Sequence, residues 1–173
     1  MTHSDLSSYS VTIRDPIAIT YKGYKITSCG APSGGSVALS ILKILEGYST
    51  PISSSHRDLS YHRLDEAMRF SYAARNELGD PDFFQYMDGF EAQMLEKRTA
   101  EGIRRKIHDR HTHNISFYGP SRKSLPENHG TSHIVATDAS GLSITLTSTV
   151  NLLWGSLLVV PETGTFCLLP FLS

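Results

Sequence analysis

Alternating apolar and polar residues near the amino terminus predict β-strands. The alternation runs through residues 9–13, stops at Asp15-Pro16, and resumes through residues 17–21 and 24–28 on either side of Lys22-Gly23. A period of two matches the pleat of a strand, in which successive side chains point to opposite faces. The sequence therefore predicts a first strand over residues 9–13, followed by a hairpin with its turn at Lys22-Gly23.

Apolar residues spaced three and four apart predict helices through the middle of the chain. The expected helices run from Ser36 to about Gly47, from about Ser60 to Leu78, and within Phe84 to Ile107 with an interruption near Thr99 or Gly102. The first helix is apolar on most sides, so we expect it to be largely buried. Ser36 is a candidate N-cap for that helix, and Gly79 stands where a C-cap glycine would end the second.

The clearest hairpin signal lies in the last third of the chain. Residues 134–137 and 142–151 are β-branched and rich in hydroxyls, and residues 138–141 (Asp-Ala-Ser-Gly) join them. With the turn centred on Ala139-Ser140, the numbers of paired residues sum to about 279, and a loop one residue longer gives about 280. Thr131 then lies opposite Ser148 or Thr149, within reach across the strands.

The second strand of this hairpin is predicted to have one polar face and one apolar face, because alternate side chains share a face. The polar set comprises Ser143, Thr145, Thr147, Thr149 and Asn151, and the set expected to face a core comprises Leu142, Ile144, Leu146, Val150 and Leu152. A row of hydroxyls that ends in an amide exceeds what solubility requires.

Composition bounds the class of protein without indicating an activity. The chain has 173 residues, of which 39% are hydrophobic and 19% charged, which is typical of one globular domain. A formal net charge of -1 excludes a bulk attraction to nucleic acid or anionic membranes. No apolar run approaches the roughly 18 residues of a membrane span, and no signal peptide is visible. Cys29 and Cys167 cannot form a disulfide framework and lack metal-type spacing.

Three motifs have both a functional and a structural interpretation. Gly34-Gly35 before a helix could cradle a phosphate, but it lacks P-loop spacing and the lysine, which favours a tight entry into a packed helix. The basic residues within 97–110 are interspersed with acidic ones, which favours a solvated helix face over a nucleic-acid site. His108, His111 and His113 look like a metal cluster, but no cysteine or carboxylate completes the ligand set, so no metal is expected.

Gly130-Thr131 carries a chemistry that depends on the hairpin. A threonine hydroxyl beside an exposed peptide bond can attack the preceding carbonyl, shift the acyl group to oxygen and release a new amino terminus on hydrolysis. The freed amine can then act as base for its own hydroxyl, with Thr149 orienting that nucleophile. From the residues alone, a plain hairpin with threonine present for its strand propensity is the favoured interpretation.

Several segments, in chain order, carry the signature of one enzyme family. They are Thr131-Ser132-His133, Gly141, residues 145–151 and Trp154-Gly155, together with the upstream residues 31–35, 47–48, 59–81 and 112–118. Over roughly residues 5 to 164 the chain resembles the gamma-glutamyltransferases, also called gamma-glutamyltranspeptidases or glutathione hydrolases. The motif around Thr131 is the most specific part of this resemblance.

The resemblance implies a fold and a division of the chain. The implied fold is α+β, part of the four-layer αββα sandwich of N-terminal-nucleophile hydrolases, with helices on a mostly antiparallel sheet. Residues 1–130 would be the carboxyl-terminal part of a large-subunit-like region. Residues 131–164 would begin a small-subunit-like region with the catalytic hairpin, and residues 165–173 would be an atypical tail.

The resemblance also implies a reaction and a role for each site residue. The precursor would cut itself between Gly130 and Thr131, and Thr131 would take the gamma-glutamyl group from glutathione as an ester and pass it to water or an amino acid. Thr149 matches a threonine whose hydroxyl contacts that nucleophile, and Asn151 matches a residue that holds the α-amino end of the glutamate. No metal or organic cofactor and no nucleic acid is implied. The implied partners are glutathione and other gamma-glutamyl compounds, amino-acid or peptide acceptors, and the two subunits, which associate after cleavage.

The tail departs from the family pattern. Residues 165–170 replace an asparagine-rich, acidic continuation, whereas Val135 and Leu142 are mild departures. The family's substrate-binding carboxylates and serines and its oxyanion-binding glycines are expected downstream, and its arginine upstream of Met1. Because loss of one oxyanion donor costs about 10²–10³ in rate, we expect little activity from this chain alone. The alternative is a non-catalytic remnant or interaction module of the same fold. Family members are usually extracellular, membrane-anchored or vacuolar.

Overall fold

The computed structural model describes residues 2–49, 56–119, 131–149 and 155–166. The chain divides into two compact units, Met1–Ser124 and Leu125–Ser173. The first contains α1 (His3–Ser7), β1 (Ile17–Tyr21), β2 (Tyr24–Ser28), α2 (Gly35–Glu46), α3 (Arg57–Arg75), α4 (Met87–Leu95), α5 (Lys97–Arg104) and α6 (Ile115–Tyr118). The second contains β3 (Ser132–Thr137), β4 (Ser143–Ser148), β5 (Val159–Val160) and β6 (Thr165–Phe166). The mixture of helices with antiparallel strand pairs confirms the α+β class.

The β1–β2 hairpin confirms the predicted strands at residues 17–21 and 24–28. The two strands pair antiparallel along their whole length. Lys22 and Gly23 form the turn with φ angles of 50° and 86°. Two positive φ angles give the turn the twist that suits a two-residue hairpin connection.

The predicted strand over residues 9–13 is wrong. These residues form neither helix nor strand, and Tyr9, Val11 and Ile13 are 77%, 74% and 94% exposed. Alternation produces a strand only where a neighbouring strand takes up the backbone hydrogen bonds and a core takes up the apolar face. Among the described residues, no strand pairs with this segment.

The helices α2 and α3 confirm the prediction, although the end of α3 differs. The C-cap of α3 is Asn76 rather than Gly79. Beyond Arg75, the amides of Glu77 and Leu78 donate to the carbonyls three residues earlier, at 3.0 Å each. The helical pattern in the sequence therefore extends through a tightened last turn, which ends the regular helix before the glycine.

Two other predicted helix boundaries are wrong. Gly34, not Ser36, is the N-cap of α2. Ser36 lies inside the first turn and is completely buried, so its side chain serves packing rather than capping. The break between α4 and α5 falls at Glu96, whose ψ of 142° is extended, and not at Thr99 or Gly102, which belong to α5.

The helix α2 forms the centre of the first unit. It contacts β1, β2, α3, α4 and α5. Leu39 and Ile44 are 1% and 0% exposed, and Ile44 packs in one cluster with Ala67 of α3 and Ala100 of α5. Contacts on several sides confirm that a helix with apolar residues around most of its circumference is buried.

Two buried carboxylates tie helices to distant segments. Glu66 of α3 is completely buried, and the Tyr118 hydroxyl lies 2.8 and 3.0 Å from its two oxygens. Burial is the main reason that the pKa of Tyr118 is raised. Glu91 of α4 accepts a hydrogen bond of 2.9 Å from the amide of Ala31. Hydrogen-bond donors offset the cost of removing these carboxylates from water.

Candidate active site

The β3–β4 hairpin is the element that carries the predicted nucleophile. Its two strands pair antiparallel from Ser132↔Ser148 to Thr137↔Ser143. This register is the one that the sequence predicts for the longer of its two loop lengths. Thr131 comes immediately before the first pair and Thr149 immediately after it. The paired ladder ends at Ser132 and Ser148, and one further step of the same register would set these two threonines opposite each other.

The connection between the strands explains why this register is adopted. The Asp138 Oδ1 accepts hydrogen bonds from the Ser140 hydroxyl at 2.7 Å, the Ser140 amide at 2.8 Å and the Leu142 amide at 3.0 Å. The Ser140 hydroxyl is the largest of the contributions that lower the pKa of Asp138, and backbone amides add to it. Gly141 has φ of +87°, a conformation that favours glycine. Because the Asp138 carboxylate accepts these three hydrogen bonds, it fixes the length of the loop. The loop length in turn determines which residues of β3 and β4 pair.

The structure adds a histidine to the predicted row of hydroxyls. His133 pairs with Thr147, and the His133 Nδ1 lies 2.8 Å from the Thr147 Oγ1. Alternation along the strands puts His133 on the same face as Thr131 and Thr149. His133 is not among the predicted site residues, although the longer of the two predicted loops already pairs residue 133 with residue 147.

The opposite face of the hairpin differs from the prediction. Ile134, Ile144 and Leu146 are 62%, 69% and 61% exposed, and Leu142 is 72% exposed. The expectation that this apolar face packs on a core is therefore wrong for Leu142, Ile144 and Leu146 within the second unit. Strand alternation predicts which side chains share a face, but burial requires another element over that face. Val150 and Leu152 lie outside the described residues.

Of the predicted site residues, Thr131 and Thr149 are described and Gly130 and Asn151 are not. Thr131 and Thr149 are both exposed. A threonine hydroxyl at the surface is accessible to solvent and to a substrate. The hairpin therefore presents the two threonines at one end of a paired ribbon.

The glycine pair before α2 has a structural role. A Cβ on Gly35 would overlap with the carbonyl oxygen of Cys29, whereas none of the described atoms lies within 4 Å of one on Gly34. The close approach of two backbone segments explains the glycine at position 35. It supports the tight helix entry that the sequence favours over a phosphate site.

Basic side chains within residues 97–110 form ion pairs and hydrogen bonds inside the first unit. Lys97 forms an ion pair with Glu101, and Arg98 forms one with Glu96. Arg104 donates from Nη1 to the carbonyls of Lys43 and Ile44 at 3.0 and 2.9 Å. These carbonyls belong to the last turn of α2, where helical partners are lacking, so Arg104 caps that helix from the side. The sequence offers no signal for this long-range role.

This chain is similar to known proteins both in structure and in sequence. The structure is similar to that of a gamma-glutamyltranspeptidase from Helicobacter pylori, with a TM-score of 0.63, 32% identity, and coverage of 73% of this chain and 36% of that one. It also has the fold of a gamma-glutamyltranspeptidase from Pseudomonas nitroreducens, with a TM-score of 0.62, 20% identity and coverage of 71% and 37%. The family model described as gamma-glutamyltranspeptidase matches residues 1–168. The chain belongs to the gamma-glutamyltranspeptidase family.

Fungal and plant relatives match nearly the whole chain. A glutathione hydrolase proenzyme from Arthroderma benhamiae is 44% identical, a glutathione hydrolase from Aspergillus flavus 40%, and glutathione hydrolase 3 from Arabidopsis thaliana 39%. Each match covers 95% of this chain but only 28%, 28% and 26% of the respective relative. The chain therefore spans little more than a quarter of the length of these relatives. Within the part of the chain that the structure describes, no helix is both long and apolar enough to cross a membrane.

Proposed function

We propose that this chain carries the processing site and the nucleophile of a glutathione hydrolase. Residues 1–130 form the end of its large-subunit-like region, residues 131–164 the start of its small-subunit-like region, and residues 165–173 an atypical tail. The observation that carries the proposal is the β3–β4 register, which pairs Ser132 with Ser148. One further step of that register would set Thr131 opposite Thr149. Membership of the gamma-glutamyltranspeptidase family supports the same assignment.

The first proposed reaction is self-cleavage between Gly130 and Thr131. The Thr131 Oγ1 attacks the carbonyl carbon of Gly130, and the peptide C–N bond breaks as the acyl group moves to oxygen. Water then hydrolyses the resulting ester, which leaves a carboxylate on Gly130 and a free amine on Thr131. The exposure of Thr131 supports this step, since both water and the preceding peptide bond need access to the hydroxyl.

The second proposed reaction is gamma-glutamyl transfer by the processed chain. The free amine of Thr131 accepts the proton of its own hydroxyl, and the oxygen attacks the γ-carbonyl of glutathione. The amide C–N bond breaks, the leaving amine takes up the proton, and the gamma-glutamyl group remains as an ester on Thr131. Water or the amine of an acceptor amino acid or peptide then releases it.

Two further residues complete the proposed site. Thr149 donates or accepts a hydrogen bond at the Thr131 hydroxyl and so orients it, and Asn151 holds the α-amino end of the glutamate. The proposed chemistry uses protein groups and water alone, without a cofactor. The substrates are glutathione and related gamma-glutamyl compounds, and the two pieces remain associated after cleavage as large and small subunits.

The test is the intact mass of the purified 173-residue chain. We expect two masses, for residues 1–130 and 131–173, in place of a single mass of 19.1 kDa. Thr131→Ala should abolish the split because it removes the attacking oxygen. The matched control is Thr145→Ala, which removes a hydroxyl from the same face of the hairpin and should leave the split unchanged.

Native mass spectrometry of the split sample measures whether the two pieces remain associated. Release of glutamate from glutathione tests the transfer step separately, and we expect little from this chain alone. A single mass of 19.1 kDa for the wild type would contradict self-cleavage and favour the non-catalytic alternative. A split that persists in Thr131→Ala would assign the cut to another agent.

A further inference from the structure

The structure brings three histidines of the α5–α6 connection together. They are His108, His111 and His113, and one ring nitrogen of each lies within 4.8 Å of the others. The ring centroids are separated by 4.7, 5.2 and 4.8 Å. A single ion between the rings could therefore contact all three. The sequence offers no cysteine or carboxylate as a further ligand. A zinc site with three imidazoles and one open position does not need one.

The helix α3 holds the start of this connection in place. The His62 Nε2 donates a hydrogen bond of 2.7 Å to the carbonyl of His108. The next residue, Asp109, accepts two hydrogen bonds from Arg63, at 2.9 Å from Nε and 2.8 Å from Nη2. A bidentate pair of this kind fixes orientation as well as distance. The backbone that carries His108 and His111 is thus anchored to a long helix.

The other end of the cluster is anchored through His113. Its ring stacks on Phe117 with a centroid separation of 3.8 Å, and its backbone amide donates to the Tyr118 hydroxyl at 2.9 Å. The His113 Nε2 is buried, and no described atom forms a hydrogen bond with it. An unpaired buried nitrogen costs free energy, and metal ligation is one way of satisfying it. His108 and His111, by contrast, are exposed and can rotate toward an ion.

We propose that His108, His111 and His113 bind one Zn²⁺ ion per chain. Neutral imidazole suits zinc, whereas magnesium and calcium prefer oxygen ligands. In a tetrahedral site with Zn–N of about 2.0–2.1 Å, the nitrogens are about 3.3 Å apart. The ring nitrogens are now up to 4.8 Å apart. Rotation of the two exposed rings, His108 and His111, would shorten these distances to the value that zinc requires. Three protein ligands leave the fourth position to water or an external ligand.

The site is independent of the proposed nucleophile. Its three ligands and the residues that anchor them all belong to the first unit, Met1–Ser124. The two proposals can therefore fail separately. The chain could cleave itself before Thr131 without binding zinc, or bind zinc without cleaving itself.

The test is titration of the full 173-residue chain with ZnCl₂ in a calorimeter, with Cys29→Ser and Cys167→Ser in every sample so that no thiol binds the metal. We expect one Zn²⁺ per chain. His111→Ala should weaken binding by more than about 10-fold, because even loss of an outer partner of a ligand costs about 10–100-fold. His3→Ala, which removes an exposed histidine outside both the cluster and the hairpin, is the matched control and should bind like the parent.

Two further measurements use the parent chain and do not depend on how well a variant folds. Zinc should raise the melting temperature of the parent chain, since an ion that binds only the folded state stabilises it. X-ray absorption at the zinc edge should show nitrogen ligands at about 2.0–2.1 Å. No saturable binding, or equal affinity in the parent and a folded His111→Ala, would overturn the proposal.

Discussion

At the scale of single residues, Gly34 and Gly35 are neighbours with different requirements. Gly34 has φ of -85°, an ordinary conformation, and no described atom lies within 4 Å of the position that a Cβ would take. A Cβ at Gly35 would overlap with the Cys29 carbonyl oxygen and would also meet the Ser28 side chain. The small size of glycine is thus required at position 35, whereas neither backbone conformation nor space requires it at position 34.

We predict that Gly35→Ala lowers the free energy of unfolding by about 1–3 kcal/mol, the usual cost of forcing an extra methyl group into a packed site. Gly34→Ala is the matched control and should change it by less than about 1 kcal/mol, because Ala fits this φ. Urea denaturation of both variants measures the difference. Equal effects at the two positions would show that the close approach to Cys29 does not limit the side chain.

Side-chain partners are the part of the molecule that the sequence predicts least. The glycine pair was interpretable because glycine before a helix has few local explanations. The Tyr118 bond to Glu66 joins residues 52 apart, and the Arg104 bond to Ile44 joins residues 60 apart. No periodicity or motif encodes such pairs, since the first depends on how α3 packs against α6 and the second on how α2 packs against α5.

At the scale of elements, Glu46 joins the end of α2 to the β1–β2 turn. Its Oε1 accepts a hydrogen bond of 2.9 Å from the Lys22 amide, and its Oε2 lies 2.7 Å from the Lys43 Nζ. A carboxylate at a helix C-terminus is unfavourable by itself, so these donors offset the helix dipole. The Lys43 hydrogen bond, followed by that of the Lys22 amide, lowers the pKa of Glu46 below its ordinary value of 4.5.

We predict that Glu46→Gln destabilises the chain at neutral pH and that the difference from wild type shrinks in acid. The folded-state pKa of Glu46 lies below its unfolded value of 4.5, so its contribution is present above pH 4.5 and is lost as the pH falls through the folded-state pKa. Urea denaturation of both proteins from pH 7 down to the acid limit of folding measures this. Glu77→Gln, which removes one carboxylate elsewhere, is the control. A difference that stays constant with pH would contradict the assignment.

Most elements, but not all of their ends, follow from local patterns in the sequence. The sequence predicts the β1–β2 hairpin with its observed strands. It predicts β3–β4 with strands at residues 134–137 and 142–151, where the structure has Ser132–Thr137 and Ser143–Ser148. The β3–β4 register is one of the two predicted, because turn chemistry at Asp138 and Gly141 limits the loop length. The strand over residues 9–13 failed because alternation does not supply a pairing partner. The break at Glu96 was misplaced because one extended ψ angle between two helices leaves no composition signal.

At the scale of the whole molecule, the β1–β2 and β3–β4 hairpins differ in how far their apolar side chains are exposed. Ile19 of β1 is 7% exposed and β1 contacts α2, whereas Ile144 and Leu146 of β4 are 69% and 61% exposed. A two-stranded ribbon with an uncovered apolar face is marginally stable and prone to edge-to-edge association. The predicted position of the nucleophile therefore depends on a hairpin whose apolar side chains are exposed.

We predict that the 173-residue chain expressed alone is poorly soluble and that the double variant Ile144→Thr/Leu146→Thr increases the soluble fraction. Threonine keeps strand propensity while it removes apolar surface from one face of the ribbon. The soluble fraction after lysis and light scattering of the purified protein measure the change. Thr145→Ser, a conservative change on the opposite face, is the matched control and should behave like the wild type. A wild-type chain that is already a monodisperse monomer with one cooperative melting transition would contradict the prediction, because the apolar face would then not drive association.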